Sequence, residues 1–106
     1  MATIESRLAL VESLHTREMA IMSAKAADYS GGKDCNLNIK ACERMGLCSA
    51  ETGVMIRMLD KMQRVKNLLE NEAKVKDESI QDTLIDLRNY AAILYHLIEE
   101  KKNGGE

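Results

Sequence analysis

The chain has 106 residues, and 15 Lys+Arg against 17 Asp+Glu leave a formal charge of −2 with both histidines neutral. That length suits a single domain, 1–106, with a thin core, because only roughly 60 to 65% of the extended chain's surface is hidden at this size and a second subunit would add to it substantially. Apolar residues at 45% and charged residues at 30% exclude disorder; no apolar run is long enough for a membrane span, and no basic cluster suits duplex nucleic acid.

With no Pro, Trp or Phe and seven Met, the composition predicts a core of Leu, Ile, Met, Val and Ala and an all-α fold. Thr3 is placed to cap a first helix with Ile4, Leu8, Val11, Met19 and Met22 near one face. Glu5, Arg7 and Glu12 interrupt its opening MATIESRLALVESLH, which therefore lacks the pattern of a secretory signal, and a cytoplasmic location is expected. The helix should fail near Asp28–Gly32, at the double glycine. Asp34 is a cap for a short helix through Cys35–Arg44, fading at Gly46. Cys35, Cys42 and Cys48, at intervals of seven and six, suit neither a zinc site nor a complete disulfide set and are expected as reduced thiols.

Ser49 should cap the next helix, to about Glu70, with Met55, Met58, Met62, Val65 and Leu69 as its inward stripe. Gly53 costs that helix about 1 kcal/mol relative to Ala, so an irregular first turn is expected. After a polar link, Asn71–Lys76, Asp77 should cap a last helix whose Ile80, Leu84, Leu87, Ala91, Leu94 and Ile98 alternate steps of four and three and face the core. Tyr90, Ile93 and Leu97 lie outside that stripe and are assigned to a second chain. The tail from Lys101 is expected to fray. The fold expected is an antiparallel helical bundle of three long helices and one short helix, completed by oligomerisation as a dimer or larger.

Glu78, Asp82, Asp86 and Asn89 follow one another at intervals of four, four and three, forming a polar ribbon about 155° from the centre of the apolar stripe. Like charges at that spacing repel by a few tenths of a kcal/mol per pair, and no Lys or Arg of the same helix lies four residues away to offset them. A divalent cation, Mg²⁺, suits the task, although a solvated face accounts for the same spacing. On the preceding helix Asp60 could add a carboxylate for the metal, and Arg57, Lys61 and Arg64 could balance phosphate charge. Lys25 and Tyr29 precede the double glycine, which lacks the GK[ST] of a phosphate loop. Tyr29 could stack on a base or plug the helix end, and Asn38 is the candidate reader of a base edge. His15 and His96 belong to no ligand cluster, and the Ser and Cys residues have no neighbouring His base.

The segments AKAADYSGG, TGVMIRMLDKMQRVKNLL and KVKDESIQDTLIDLRNYAAIL resemble a small phage and bacterial family, nucleotide modification associated domain 1, formerly a domain of unknown function. The family is distantly similar to MazG-like all-α nucleoside triphosphate pyrophosphohydrolases. In IQDTLIDL, Asp82 matches the Asp of the second acidic motif of those enzymes, but three residues earlier stands Ser79, with Glu78 one step further back. Their EExxE motif is missing, and Asp60 in RMLDK offers the related group. The resemblance implies magnesium-dependent binding and pyrophosphohydrolysis of a nucleoside triphosphate. Asp60, Glu78 and Asp82 would hold the metal, and Asp86 would orient water. Lys25, Arg57, Lys61 and Arg64 would meet phosphates, and Tyr29, Asn38 and Asn89 the base or sugar. The alternatives are a non-catalytic phage protein that sequesters a nucleotide or cyclic nucleotide in the host cytoplasm, and a helical interaction module.

Overall fold

The computed structural model describes residues 1–30, 34–71 and 80–104, without the side chains of residues 26–30. Thr3 begins the first helix as expected: its Oγ1 accepts the Ser6 N–H at 3.1 Å, and Ser6 Oγ accepts the Thr3 N–H at 3.0 Å. Helix α1 (Ile4–Ser30) runs up to the double glycine. The short helix α2 is only Ala41–Arg44. Residues 35–40 form turns instead, because Asp34 Oδ1 accepts the Asn36 N–H at 2.9 Å and so gives the backbone a local alternative to helix. That backbone hydrogen bond, with Lys40 nearby, holds the Asp34 carboxyl below its usual range against the opposing effect of burial. Gly46, at φ 77°, ends α2 in a conformation that favours glycine.

Helix α3 (Ala50–Glu70) starts at Ser49, whose side chain accepts the Thr52 N–H at 3.1 Å, while Glu43 Oε1 accepts the Ala50 N–H at 2.9 Å. Gly53 lies inside a continuous helix, and a Cβ there would stand 2.7 Å from Cys42 Sγ. The glycine therefore serves the packing of α2 on α3 and does not distort the first turn. Gly53→Ala gains about 1 kcal/mol of helix propensity but overpacks this contact by roughly 1 to 3 kcal/mol. We expect denaturant titration to show a net loss near 1 kcal/mol, relieved when Cys42→Ala is added. The three thiols are free, and the Cys48 thiol is pushed up by its hydrogen bond with Cys42, as suits packing more than nucleophilic chemistry.

Helix α4 (Ile80–Lys102) continues past the expected fraying point, with Lys101 and Lys102 in its last turn and Gly104 at φ 70° after it. Residues 72–79, which include the expected cap Asp77, lie outside the described residues. Helices α3 and α4 are antiparallel: Glu51 pairs with Lys101 at 2.7 Å near one end, and Lys61 with Asp86 at 3.2 Å further along. The hydrogen bond from Lys101 holds the Glu51 carboxyl below its ordinary value of 4.5 and raises the Lys101 ammonium above 10.5. A depressed carboxyl stabilises the fold above its unfolded value and loses that effect as pH falls through the folded one; a raised ammonium loses it as pH rises past its unfolded value. In thermal melts across pH, Lys101→Met should therefore narrow the drop in stability below pH 4.5.

Both long stripes are only partly where periodicity places them: Met58 and Leu94 pack on the core as expected, and the other members divide between partly buried and exposed positions. On α4 the buried residues are Thr83, Ile85, Asn89 and Leu97, whereas Leu84 and Ile98 remain 45% and 43% exposed and Ala91 is exposed. That buried face is centred roughly 130° from the expected one. Tyr90, Ile93 and Leu97, assigned above to a second chain, pack instead on the core formed by Ala50 and Val54. On α3, Val54 and Leu68 are buried while Met55, Met62 and Leu69 are exposed. Of the polar ribbon of α4, Asn89 is buried and Asp86 lies against cations of α1 and α3, whereas Asp82 stays more than half exposed beside Arg17. On α1, Ile4, Leu8, Val11 and Met19 stay exposed. The radius of gyration, 15.9 Å, exceeds the value of about 13 Å for a compact chain of this length. Among the described residues no helix is long and apolar enough to cross a membrane.

Candidate functional site

A cavity of about 550 Å³ opens where α1, the turns at 34–40, α3 and α4 meet, a volume within the range of small-molecule sites. Met22, Ile39, Tyr90 and Ile93 give it apolar walls, and Lys25, Arg57, Asp86 and Asn89 supply charge and hydrogen-bonding capacity. The turn segment is clamped to α4 by Asn36, which is 3% exposed and donates from Nδ2 to Glu100 Oε1 at 3.0 Å. Lys40 reinforces the clamp, lying 3.4 Å from Asp34 and 3.6 Å from Glu100.

Asp86 occupies the polar end. Its carboxylate lies 3.2 Å from Lys61 Nζ and 3.9 Å from Lys25 Nζ, and its side chain is 21% exposed. One turn earlier on α4, Asp82 meets Arg17 at 3.3 Å, and Glu18 meets Arg88 at 3.1 Å. Three ion pairs thus dock α1 on α4. Asp82 and Asp86, two of the carboxylates expected to need an external cation, find protein cations from α1 and α3, a balance that inspection of one helix at a time does not reveal. The signal was weak in any case: Arg17 is 65 residues from Asp82 in the chain.

Of the residues singled out in the sequence, Lys25, Asn38, Arg57, Asp86 and Asn89 come together around the cavity, and Lys61 reaches it through Asp86. Asp60 and Arg64 occupy exposed positions on α3 that do not line it. Asp82 sits one helical turn from Asp86 on the α1 side. Glu78 and the side chain of Tyr29 lie outside the described residues. Among the described residues, no group of three or more His, Cys, Asp and Glu is placed to hold a metal ion. His96, given no role from sequence, contributes to the cavity wall, as do Met22 and Tyr90.

Asn89 has no counterpart elsewhere in the wall. It is 7% exposed, and neither Oδ1 nor Nδ2 has a hydrogen-bond partner among the described residues. Orphaning buried polar atoms costs about 1 to 3 kcal/mol each, so these two atoms need partners.

These features define an all-α bundle with a cavity that is apolar along one side and charged at one end. Residues 51–98 match the model of the family described as nucleotide modification associated domain 1. The match spans the α3–α4 segment, which carries Arg57, Lys61, Asp82, Asp86 and Asn89, and so marks a likeness of that segment to the family; α1 and the turns at 34–40 fall outside it. No curated protein and no solved structure matches the chain.

Proposed function

We propose that the cavity binds a nucleoside triphosphate together with its magnesium ion and hydrolyses it to a monophosphate and pyrophosphate. The observation that carries this reading is Asp86, an anion held in the cavity wall between Lys25 and Lys61 with Arg57 on the same wall. Phosphate oxygens can take over those cations, which frees the carboxylate. The described carboxylates do not form a protein cage for a metal, but Mg²⁺ commonly needs only one or two carboxylates beside phosphate oxygens and water. Asp82 and Asp86 suit that smaller role, with Glu78 and Asp60 as further candidates. When bound, the ion supplies charge neutralisation and a more acidic water.

The protein's own contributions are positional. Lys25, Arg57 and Lys61, with Arg64 at the rim, neutralise the phosphates, and Asn38, Asn89 and Tyr29 meet base or sugar. Asp86 orients the water. In the reaction, water oxygen attacks the α-phosphorus, the bond to the bridging oxygen breaks with its electron pair leaving on pyrophosphate, and a carboxylate takes the proton. The exposed Leu84, Ala91 and Ile98 of α4 support a homo-oligomer, a dimer or larger, and the free thiols are in keeping with a cytoplasmic setting.

Calorimetry and product analysis with nucleoside triphosphates, with and without Mg²⁺, test the proposal. Metal-dependent binding with turnover is expected, and Asp82→Asn should lower turnover about a hundredfold or more, equal to ~2.7 kcal/mol of barrier. Unchanged turnover in Asp82→Asn removes Asp82 from the site. A second reading, sequestration of a nucleotide or cyclic nucleotide without hydrolysis, is favoured by the lack of a three-carboxylate group among the described residues. Tight binding without product selects it, and no binding leaves an interaction module.

A further inference from the structure

We infer that Asn89 is the specificity-determining residue of the cavity and that it reads the edge of a nucleobase, a step that rests on the nucleotide reading above. Both polar atoms of this carboxamide are buried and lack hydrogen-bond partners among the described residues, and the residue lines the cavity. A phosphate accepts hydrogen bonds only, so it would leave Oδ1 unsatisfied. A base edge presents a donor and an acceptor side by side in one plane, which is the complement of a carboxamide. A water molecule can satisfy the same atoms but does not fill a space of about 550 Å³.

Placement along α4 gives the bound molecule a direction. Asp86, with Lys25 and Lys61, lies about 4.5 Å before Asn89 along the helix axis, and Ile93 lies about 6 Å beyond it. Phosphates therefore fall at the Asp86 end, while the ring lies toward Tyr90 and Ile93, whose apolar surfaces face the cavity. Asn38, the base reader expected from sequence, is exposed on the turn segment and lacks this burial. The ligand class is accordingly a nucleotide chosen by its base as well as by its phosphates.

The test compares the common ribo- and deoxyribonucleoside triphosphates, the free nucleosides and inorganic tripolyphosphate as calorimetric ligands of the full chain. The wild type should prefer one base over the others by roughly tenfold to a hundredfold. Asn89→Ala and Asn89→Leu should collapse that preference and leave tripolyphosphate affinity unchanged. Asn89→Leu should also raise the Tm of the ligand-free protein by roughly 4 °C, because an apolar side chain replaces two unsatisfied polar atoms. A residue with a purely structural role would lose stability on the same change. Equal affinity for all bases in the wild type, or an undiminished preference in both variants, overturns the assignment while leaving phosphate binding intact. Base-selective, Asn89-dependent binding of free nucleosides without binding of tripolyphosphate upholds it and removes the phosphate chemistry instead. No binding by any ligand overturns both.

Discussion

Replacing Leu84 and Ile98 together by Glu is expected to dissociate the protein into monomers and to lower its stability by roughly 3 to 6 kcal/mol per chain. Within one chain these side chains are about half exposed, and surface changes of that kind usually fall within about 0.5 kcal/mol. The large effect follows from the proposed homo-oligomer, in which a second copy covers these side chains. Ile80, Leu84, Leu87, Ala91, Leu94 and Ile98 form a continuous strip about 27 Å long, and the strip contains no charged residue. Met55, Leu59 and Met62 leave α3 with apolar surface as well, and among the described residues the fully buried apolar side chains are Ala50, Val54, Leu68, Ile85 and Leu97, with Ile39, Met58, Tyr90, Ile93 and Leu94 packed partly buried around them. Such a core is thin among the described residues, whereas a symmetric pairing through α4 would bury the exposed part of the strip against itself. Sedimentation and thermal melts over a range of concentrations check this. The wild-type Tm should rise with protein concentration and that of the double variant should not. A wild type that sediments as a monomer, or a double variant with unchanged Tm, removes the interface.

The helices themselves were legible because their signals are local. Thr3, Ser49 and Gly46 each act within a few residues of their own position, and the boundaries they set recur in the structure. The Asx turn at Asp34 is equally local, but it competes with helix, and sequence reading assigned that segment to the helix. The inward face of α4 was less accessible. Hydrophobic periodicity identifies a stripe that must be covered, but it does not specify whether the covering surface belongs to the same chain. In this protein Lys25 and Lys61 meet Asp86 on the inner side of α4, Asp82 pairs with Arg17 at the surface, and Leu84, Ala91 and Ile98 are left outward. The same step explains the partial reading of the site. Lys25, Arg57, Asp86 and Asn89 were identified by residue type and helical spacing, whereas the cations that neutralise Asp86 come from two other helices, and their approach depends on tertiary packing. Burial of Asn89 without partners is likewise a property of the assembled cavity, since its carboxamide in sequence is indistinguishable from that of Asn67, which is exposed.

Asp86→Asn should separate anion recognition from magnesium dependence. The Asp86 carboxylate lies against Lys61 at 3.2 Å and Lys25 at 3.9 Å, so any incoming phosphate must compete with it. The substitution is nearly isosteric but removes the competing charge and leaves two adjacent cations, at some cost in stability from their repulsion. Tripolyphosphate or nucleoside triphosphate should then bind about tenfold more tightly in the absence of magnesium, corresponding to ~1.4 kcal/mol. The gain should shrink as ionic strength rises, because the pairs are only partly buried. Added magnesium should strengthen binding to the wild type, by giving the carboxylate a positive partner, but have little effect on the variant, and turnover should fall about a hundredfold or more. Calorimetry at two salt concentrations, with and without magnesium, measures these quantities independently. If Asp86→Asn weakens metal-free binding, Asp86 is a ligand-contacting group rather than a competitor for the lysines, and the exchange of ion-pair partners on which the proposed function rests does not occur.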